Sequence, residues 1–358
     1  MMTVSDGQAT MPLRRRLWLA YAPLLAIWSV YYVCVWVALR PFDAAPVPVP
    51  TDILAPFLLG TAYFVVFSGL VTIFGLLFLR TDQSRAERIR RLLIETPWLE
   101  IAIFRLVPGF LYLYSVLGIF RVFKPHIPQF IPFSWDATFV EWDRLLFFGW
   151  DGWEVTHALI SADWASYVID TFYIAWLYIV LAVFLAALCA PLVSRRRMAC
   201  LISYALNWAF AGSLMAVIFS SAGPIFLDRM FGDATFLAMH ERLEALHQNH
   251  HMWAIFTSDL LWEGYIGAEG VPKFGISAFP SLHVAMAATV WFYARACGPV
   301  RGALGLAFFL IILVGSVHLG WHYLVDGLAS LVLAWINWRL GLWFSGWWLG
   351  GEVEARPV

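Results

Sequence analysis

Long apolar segments alternate with polar connections along the whole chain. A membrane-spanning helix needs about 20 apolar residues, and eight segments reach that length. They cover residues 17–39, 53–79, 98–120, 166–190, 199–219, 279–297, 302–320 and 323–347. The pattern predicts an all-α fold, a polytopic bundle of about eight membrane-spanning helices. The two longest connections, residues 121–165 and 220–278, are rich in tryptophan and predict short helices at the membrane interface.

Composition supports a membrane protein and weakens other classes. Apolar residues make up 61% of the 358 residues and charged residues 13%, whereas soluble proteins have about 25% charged residues. No basic patch interleaved with aromatic residues indicates nucleic-acid binding. The four cysteines form no metal-ligand spacing, so we expect neither a disulfide framework nor a zinc site.

The arginines indicate one orientation in the membrane. They concentrate in the N-terminal tail, at Arg14–Arg16, and in every second connection after it, for example at Arg195–Arg197. Most acids lie in the other connections. Cytoplasmic segments carry the excess of basic residues, so we expect both termini in the cytoplasm of a bacterial-type inner membrane or its equivalent.

Three ionisable residues stand at the mouths of apolar segments. His283 begins the sixth segment, and His322 and Asp326 begin the eighth. Two membrane crossings separate the histidines, so both should lie at the same, outer face. His322 and Asp326 are four residues apart and therefore neighbours on one helix face. Ionisable groups in such places are energetically costly and mark functional sites.

This arrangement favours phosphoryl transfer through a phosphohistidine. His322 would attack phosphorus, Asp326 would orient it and stabilise its positive charge, and His283 would protonate the leaving oxygen. In the second half His283 would deprotonate the acceptor. Pro280 suits the first turn of a helix whose N–H groups, near Ser281, would hold the phosphate. No metal or cofactor is required.

Two short motifs carry a resemblance to a known family. "FPSLH" (residues 279–283) and "HYLVDGLA" (residues 322–329) resemble motifs of the type 2 phosphatidic acid phosphatase superfamily. The forms Pro-Ser-x-His and His-Tyr-x-x-Asp are closer to the branch of inositol phosphorylceramide synthases. The resemblance implies a catalytic six-helix core in residues 98–347, two additional N-terminal spans in residues 1–97 and a cytoplasmic tail in residues 348–358.

The basic residues that hold phosphate in that superfamily are missing here. Ser316 stands six residues before His322, where the family pattern leads us to expect an arginine next to serine. The pattern Lys-x6-Arg-Pro does not occur after the fifth span; Lys124 begins Lys-x6-Ile-Pro, but before the fourth span, and we interpret that match as a coincidence. These losses fit the synthase-like branch better than an ordinary phosphatase. Candidates for holding the substrate instead are Arg229, Lys273, Lys124, Ser281 and His318. For His318, a role behind the site and direct substrate contact both stay open.

Other polar residues have simpler interpretations. The histidines His240, His247, His250 and His251 resemble a metal cluster, but no carboxylate partner is evident, and a solvated interfacial helix is favoured. The outer-loop acids Asp136, Glu141 and Asp143 could bind a polar headgroup, although a solvated face is favoured. Asp170 and Asn207 lie within spans and should form interhelical hydrogen bonds.

The function that the sequence favours is that of a membrane lipid phosphotransferase. It would move a phosphoryl headgroup from a phospholipid donor, such as a phosphatidylinositol-type lipid, to a lipid alcohol such as ceramide or diacylglycerol. With water as acceptor the same residues would make a lipid phosphate phosphatase. A non-enzymatic lipid-binding or transport protein on this fold is a further alternative. Transporters place polar sites near mid-membrane, whereas this cluster lies at helix ends.

Overall fold

The described part of the chain is a bundle of helices. The computed structural model describes residues 12–47, 98–190 and 193–350, with short stretches and single positions between 51 and 94. Within these ranges there is no β-strand. Six helices are long and apolar enough to cross a membrane: Arg14–Phe42, Leu99–Phe130, Asp163–Cys189, Arg195–Ile218, Pro299–His318 and Leu324–Leu349. The chain is therefore a multi-pass membrane protein, and the predicted fold class is confirmed.

The longer helices are numbered α1 to α11 in chain order. They are α1 Leu13–Leu39, α2 Val107–Phe123, α3 Asp136–Leu146, α4 Gly152–Leu159, α5 Asp163–Cys189, α6 Arg195–Leu206, α7 Leu237–Asn249, α8 Trp253–Ile266, α9 Leu282–Ala296, α10 Pro299–His318 and α11 Leu324–Leu349. π-helical turns lead into α2 and continue α6. The short helices α3, α4, α7 and α8 form the two long connections.

The described helices coincide with seven of the eight predicted spans, and the second, residues 53–79, lies largely outside the described residues. The sixth is shorter than expected, because α9 has 15 residues, about 22 Å of helix, against about 30 Å of hydrocarbon. Its N-cap is Ser281, whose hydroxyl accepts the Val284 N–H. Pro280 therefore precedes the cap, and its predicted place in the first turn is wrong.

Small residues allow the central helices to approach closely. Helix α9 packs against α6, α10 and α11, and Ala285, Ala287 and Ala288 on it are fully buried. On α11, a Cβ at Gly341 would lie 2.8 Å from the Ala199 carbonyl oxygen of α6. In a membrane such contacts replace the hydrophobic effect as the source of helix association.

One buried polar group links three parts of this core. The Asn207 amide donates to Thr289 Oγ1 of α9 at 2.9 Å and accepts from Asn337 Nδ2 of α11 at 2.8 Å. The predicted interhelical hydrogen bonds of Asn207 are therefore confirmed. A satisfied buried network of this kind fixes the relative positions of the helices that carry His283 and Asp326.

Candidate active site

A cavity of about 350 Å³ lies among α2, α5, α8 and α9. His283, His322 and Lys124 line it, and most of the remaining wall is apolar. The aromatic lining residues are Phe120, Tyr173, Trp176, Tyr178, Trp208, Phe226, Trp253 and Trp321. In such a wall, the charge of Lys124, the Asp170 carboxylate and the two imidazoles are the dominant polar features.

His322 is held from two directions. Its Nδ1 lies 3.3 Å from Asp326 Oδ2, and its backbone N–H donates to the Ser316 carbonyl at 3.0 Å. Asp326 is fully buried and also accepts the Tyr323 N–H. A carboxylate at Nδ1 favours the tautomer with its proton there, which leaves the lone pair on Nε2.

The electrostatic environment keeps His322 neutral. Burial first, and then the Lys124 charge, lower the pKa of the imidazole to about 3. At physiological pH the ring therefore carries no charge. The neutral form is the one that can act as a nucleophile.

His283 faces His322 across the cavity and is packed by aromatic rings. The centroids of the two imidazoles are 6.1 Å apart, so one phosphoryl group between them would contact both. The Tyr173 ring stacks on His283 at 4.5 Å, and the Trp176 ring lies at 4.3 Å. The Trp176 indole also donates to the His283 carbonyl at 2.9 Å. These contacts restrict the rotation of His283.

Lys124 is the candidate phosphate-binding residue that the fold brings to the histidines. It lies at the end of α2, so the end of this helix reaches the same cavity as the beginning of α9. The backbone of Gly275 makes this possible, because a Cβ there would lie 2.5 Å from the Lys124 carbonyl carbon. Lys124 therefore lies at the same cavity as the histidines, although its Lys-x6-Ile-Pro stretch precedes the fourth span.

The other candidates lie outside the cavity lining. Ser281 is fully buried and caps α9. His318 is also fully buried, with Nε2 at 2.9 Å from Ser166 Oγ. Arg229 pairs with Asp259 at 2.6 Å. Lys273 lies in the exposed connection between α8 and α9.

Two acids of α3 connect the loops around the cavity. Asp136 accepts hydrogen bonds from the Ala222 and Gly223 N–H groups and from the Tyr323 hydroxyl, at 2.9–3.1 Å. Asp143, on the same face of α3, accepts the N–H groups at the start of α11, those of Leu324 at 2.7 Å and Val325 at 2.9 Å. Helix α3 therefore positions the segment that carries His322 and Asp326.

The expected solvated face is wrong for these two acids. Asp136 and Asp143 are each only 5% exposed, whereas Glu141 between them is exposed as expected. Burial raises the pKa of Asp143 to about 7, with the Leu324 and Val325 N–H groups acting in the opposite direction. Burial likewise raises the pKa of Asp136. The signal in the sequence for a shared helix face was the spacing of Asp136 and Asp143, which is seven residues or two helical turns.

Glycine is required at position 223, where the loop after α6 meets the segment that leads to His322. Its φ is +98°, and a Cβ would lie 2.8 Å from the Trp321 carbonyl oxygen. Its N–H donates to Asp136. A side chain at this position would separate the loop after α6 from the segment that leads to His322.

Replacing Asp143 by alanine should destabilise the protein by roughly 2–5 kcal/mol, because two buried N–H groups lose their acceptor. Asp143→Asn keeps one acceptor and should lie between alanine and the wild type. Thermal unfolding of the purified protein in detergent measures the effect. Glu141→Ala removes an exposed acid from the same helix and is the matched control. Equal stability of the Asp143→Ala and Glu141→Ala variants would contradict the positioning role.

Hydrogen bonds to Asp170 and to His247 hold the long connection between α6 and α9. Asp170 of α5 accepts the Trp253 and Ala254 N–H groups at 2.6 and 2.9 Å, so its predicted interhelical hydrogen bonds are confirmed. His247 Nδ1 accepts the Met252 N–H at 3.0 Å. In the histidine-rich stretch this ring therefore stabilises the turn between α7 and α8.

A family model of the PAP2 superfamily matches residues 137–340, more than half of the chain. The matched region begins within α3 and includes His283, His322 and Asp326. Lys124 precedes it. The chain has no significant match among curated proteins or solved structures. The outer bounds of the predicted core, residues 98–347, stay a prediction, as does the synthase-like branch.

Proposed function

This chain belongs to the PAP2 superfamily, and we propose that it transfers a phosphoryl headgroup from a phospholipid to a lipid alcohol through a phosphohistidine on His322. One observation carries the proposal. A neutral His322, oriented by Asp326, faces His283 in an apolar cavity that also contains Lys124.

In the first step the Nε2 lone pair of His322 attacks phosphorus. The bond from phosphorus to the ester oxygen of the donor breaks, and protonated His283 gives its proton to that oxygen. Asp326 stabilises the positive charge that develops on His322. The Lys124 ammonium stabilises the negative charge on the phosphoryl oxygens, an effect that is larger in an apolar site than in water.

In the second step the headgroup leaves His322. Neutral His283 takes the proton of the acceptor hydroxyl, and the acceptor oxygen attacks phosphorus. The phosphorus–nitrogen bond breaks and returns His322 to its neutral form. After the second step His283 is protonated again and can act as the acid for the next donor lipid.

The acceptor is proposed to be a lipid alcohol because of how the cavity is bounded. Ile174 lies on the membrane-spanning helix α5, lines the cavity and is 37% exposed, and acyl chains surround such a helix in a membrane. An alcohol such as ceramide or diacylglycerol would enter there. From the distribution of arginines, we place the site at the outer face and both termini in the cytoplasm.

The test is an assay of the purified protein with headgroup-labelled phospholipids, with and without ceramide or diacylglycerol. We expect a new labelled lipid that appears only when the alcohol is added. Release of water-soluble phosphate at the same rate in its absence would instead establish a phosphatase. Absence of conversion over the whole panel, with a folded protein, would favour a non-enzymatic lipid-binding role.

A further inference from the structure

Three residues of the cavity wall carry a buried polar atom that lacks a hydrogen-bond partner among the described residues. One is Trp208, whose ring packs on Phe120. The other two atoms are the Tyr173 hydroxyl and the Trp321 Nε1, and Tyr173 is only 6% exposed. A buried donor without a partner destabilises the protein, because it has lost its hydrogen bonds to water. Such groups are rare unless a ligand completes them.

The Tyr173 hydroxyl and the Trp321 Nε1 belong to the walls that hold the histidines. The Tyr173 ring stacks on His283 at 4.5 Å, and Trp321 precedes His322 in the chain. The Tyr173 and Trp321 rings are nearly parallel, with centroids 6.5 Å apart. A ligand between the two histidines would therefore be next to both donors.

The cavity offers donors and positive charge but few free acceptors. Its carboxylate, Asp170, already accepts two backbone N–H groups. Lys124 adds an ammonium. A ligand rich in acceptors and negatively charged matches this wall, and a phosphoryl group is such a ligand. One ammonium would leave several of its oxygen lone pairs unpaired in apolar surroundings.

We propose that the Tyr173 hydroxyl and the Trp321 indole N–H bind the non-bridging phosphoryl oxygens of the substrate. Together with Lys124 they form a phosphate-binding site without arginine. The identity of the ligand rests on the proposed function, and the two donors make Tyr173 and Trp321 substrate-binding residues.

Tyr173→Phe tests the proposal with a minimal change, because it keeps the ring that stacks on His283 and removes only the hydroxyl. The thermal stability of the ligand-free protein should be unchanged or higher, since an unpartnered polar group is lost. The dissociation constant for orthovanadate, a phosphate analogue, should rise about tenfold. Trp321→Phe should weaken vanadate binding in the same direction. Titration calorimetry and thermal unfolding measure the two quantities separately.

Tyr167→Phe is the matched control on the same helix. The Tyr167 hydroxyl donates to the Leu246 carbonyl at 2.9 Å, and the residue does not line the cavity. This variant should lose stability and bind vanadate as the wild type does. The opposite pattern in the two tyrosine variants separates ligand binding from a structural role.

If Tyr173→Phe and Trp321→Phe both bind vanadate as tightly as the wild type does, the proposal is overturned. It is also overturned if the wild type does not bind vanadate. The measurement needs no turnover. A protein that binds vanadate through Tyr173 but converts no lipid would contradict the proposed transfer while supporting this inference.

Discussion

Replacement of His322 by alanine is expected to abolish lipid conversion, with a loss of roughly 10⁴-fold or more, as for other enzymes that lose their nucleophile. His322 would form the covalent bond to phosphorus, and its Nδ1 is already oriented by Asp326 at 3.3 Å. Removal of the ring also withdraws one partner from a fully buried carboxylate. His322→Asn, which keeps a polar group near Asp326, is therefore the second variant.

The covalent intermediate gives an independent readout. With a donor labelled in its phosphoryl group, the wild type should retain label that acid releases and alkali does not, as expected of a phosphohistidine. Neither His322 variant should retain it. His250→Ala, which removes an exposed histidine, should behave as the wild type. Turnover near the wild-type rate in folded His322→Asn would refute the mechanism.

Replacement of His283 by glutamine is expected to slow lipid conversion by roughly 10²–10⁴-fold, the usual contribution of a general acid or base. Glutamine keeps much of the volume against Tyr173 and Trp176, whose rings pack on His283. The effect should depend on the leaving group. The nitrophenolate of a nitrophenyl phosphate ester leaves without protonation. With this ester, the rate of the first step in His283→Gln should therefore be close to that of the wild type.

The second step would still need His283 as a base. His283→Gln should therefore release one equivalent of nitrophenol per enzyme in a burst and then turn over slowly. His322→Ala should show no burst with the same ester. An equally slow first step for lipid and nitrophenyl esters in His283→Gln would contradict the assignment of His283 as the general acid.

Local patterns in the sequence determined the membrane class, the fold class and the pairing of motifs. Apolar length is a local property, and hydrocarbon about 30 Å thick converts it directly into spans. The four-residue separation of His322 and Asp326 is equally local, because helical geometry alone makes them neighbours. His283 was assigned to the same membrane face as His322 because the 39 residues between them make two membrane crossings.

The tertiary structure decided which other side chains accompany these three. Lys124 reaches the cavity because α2 ends against Gly275, in the connection that leads to α9. Asp143 is buried because its carboxylate accepts the N–H groups at the start of α11. His318, the last residue of α10 and four residues before His322, instead lies outside the cavity lining against Ser166. Whether a polar side chain is solvated, paired or left open for a ligand depends on its neighbours from distant helices. Sequence patterns record periodicity within a helix, whereas those neighbours follow from how the helices pack.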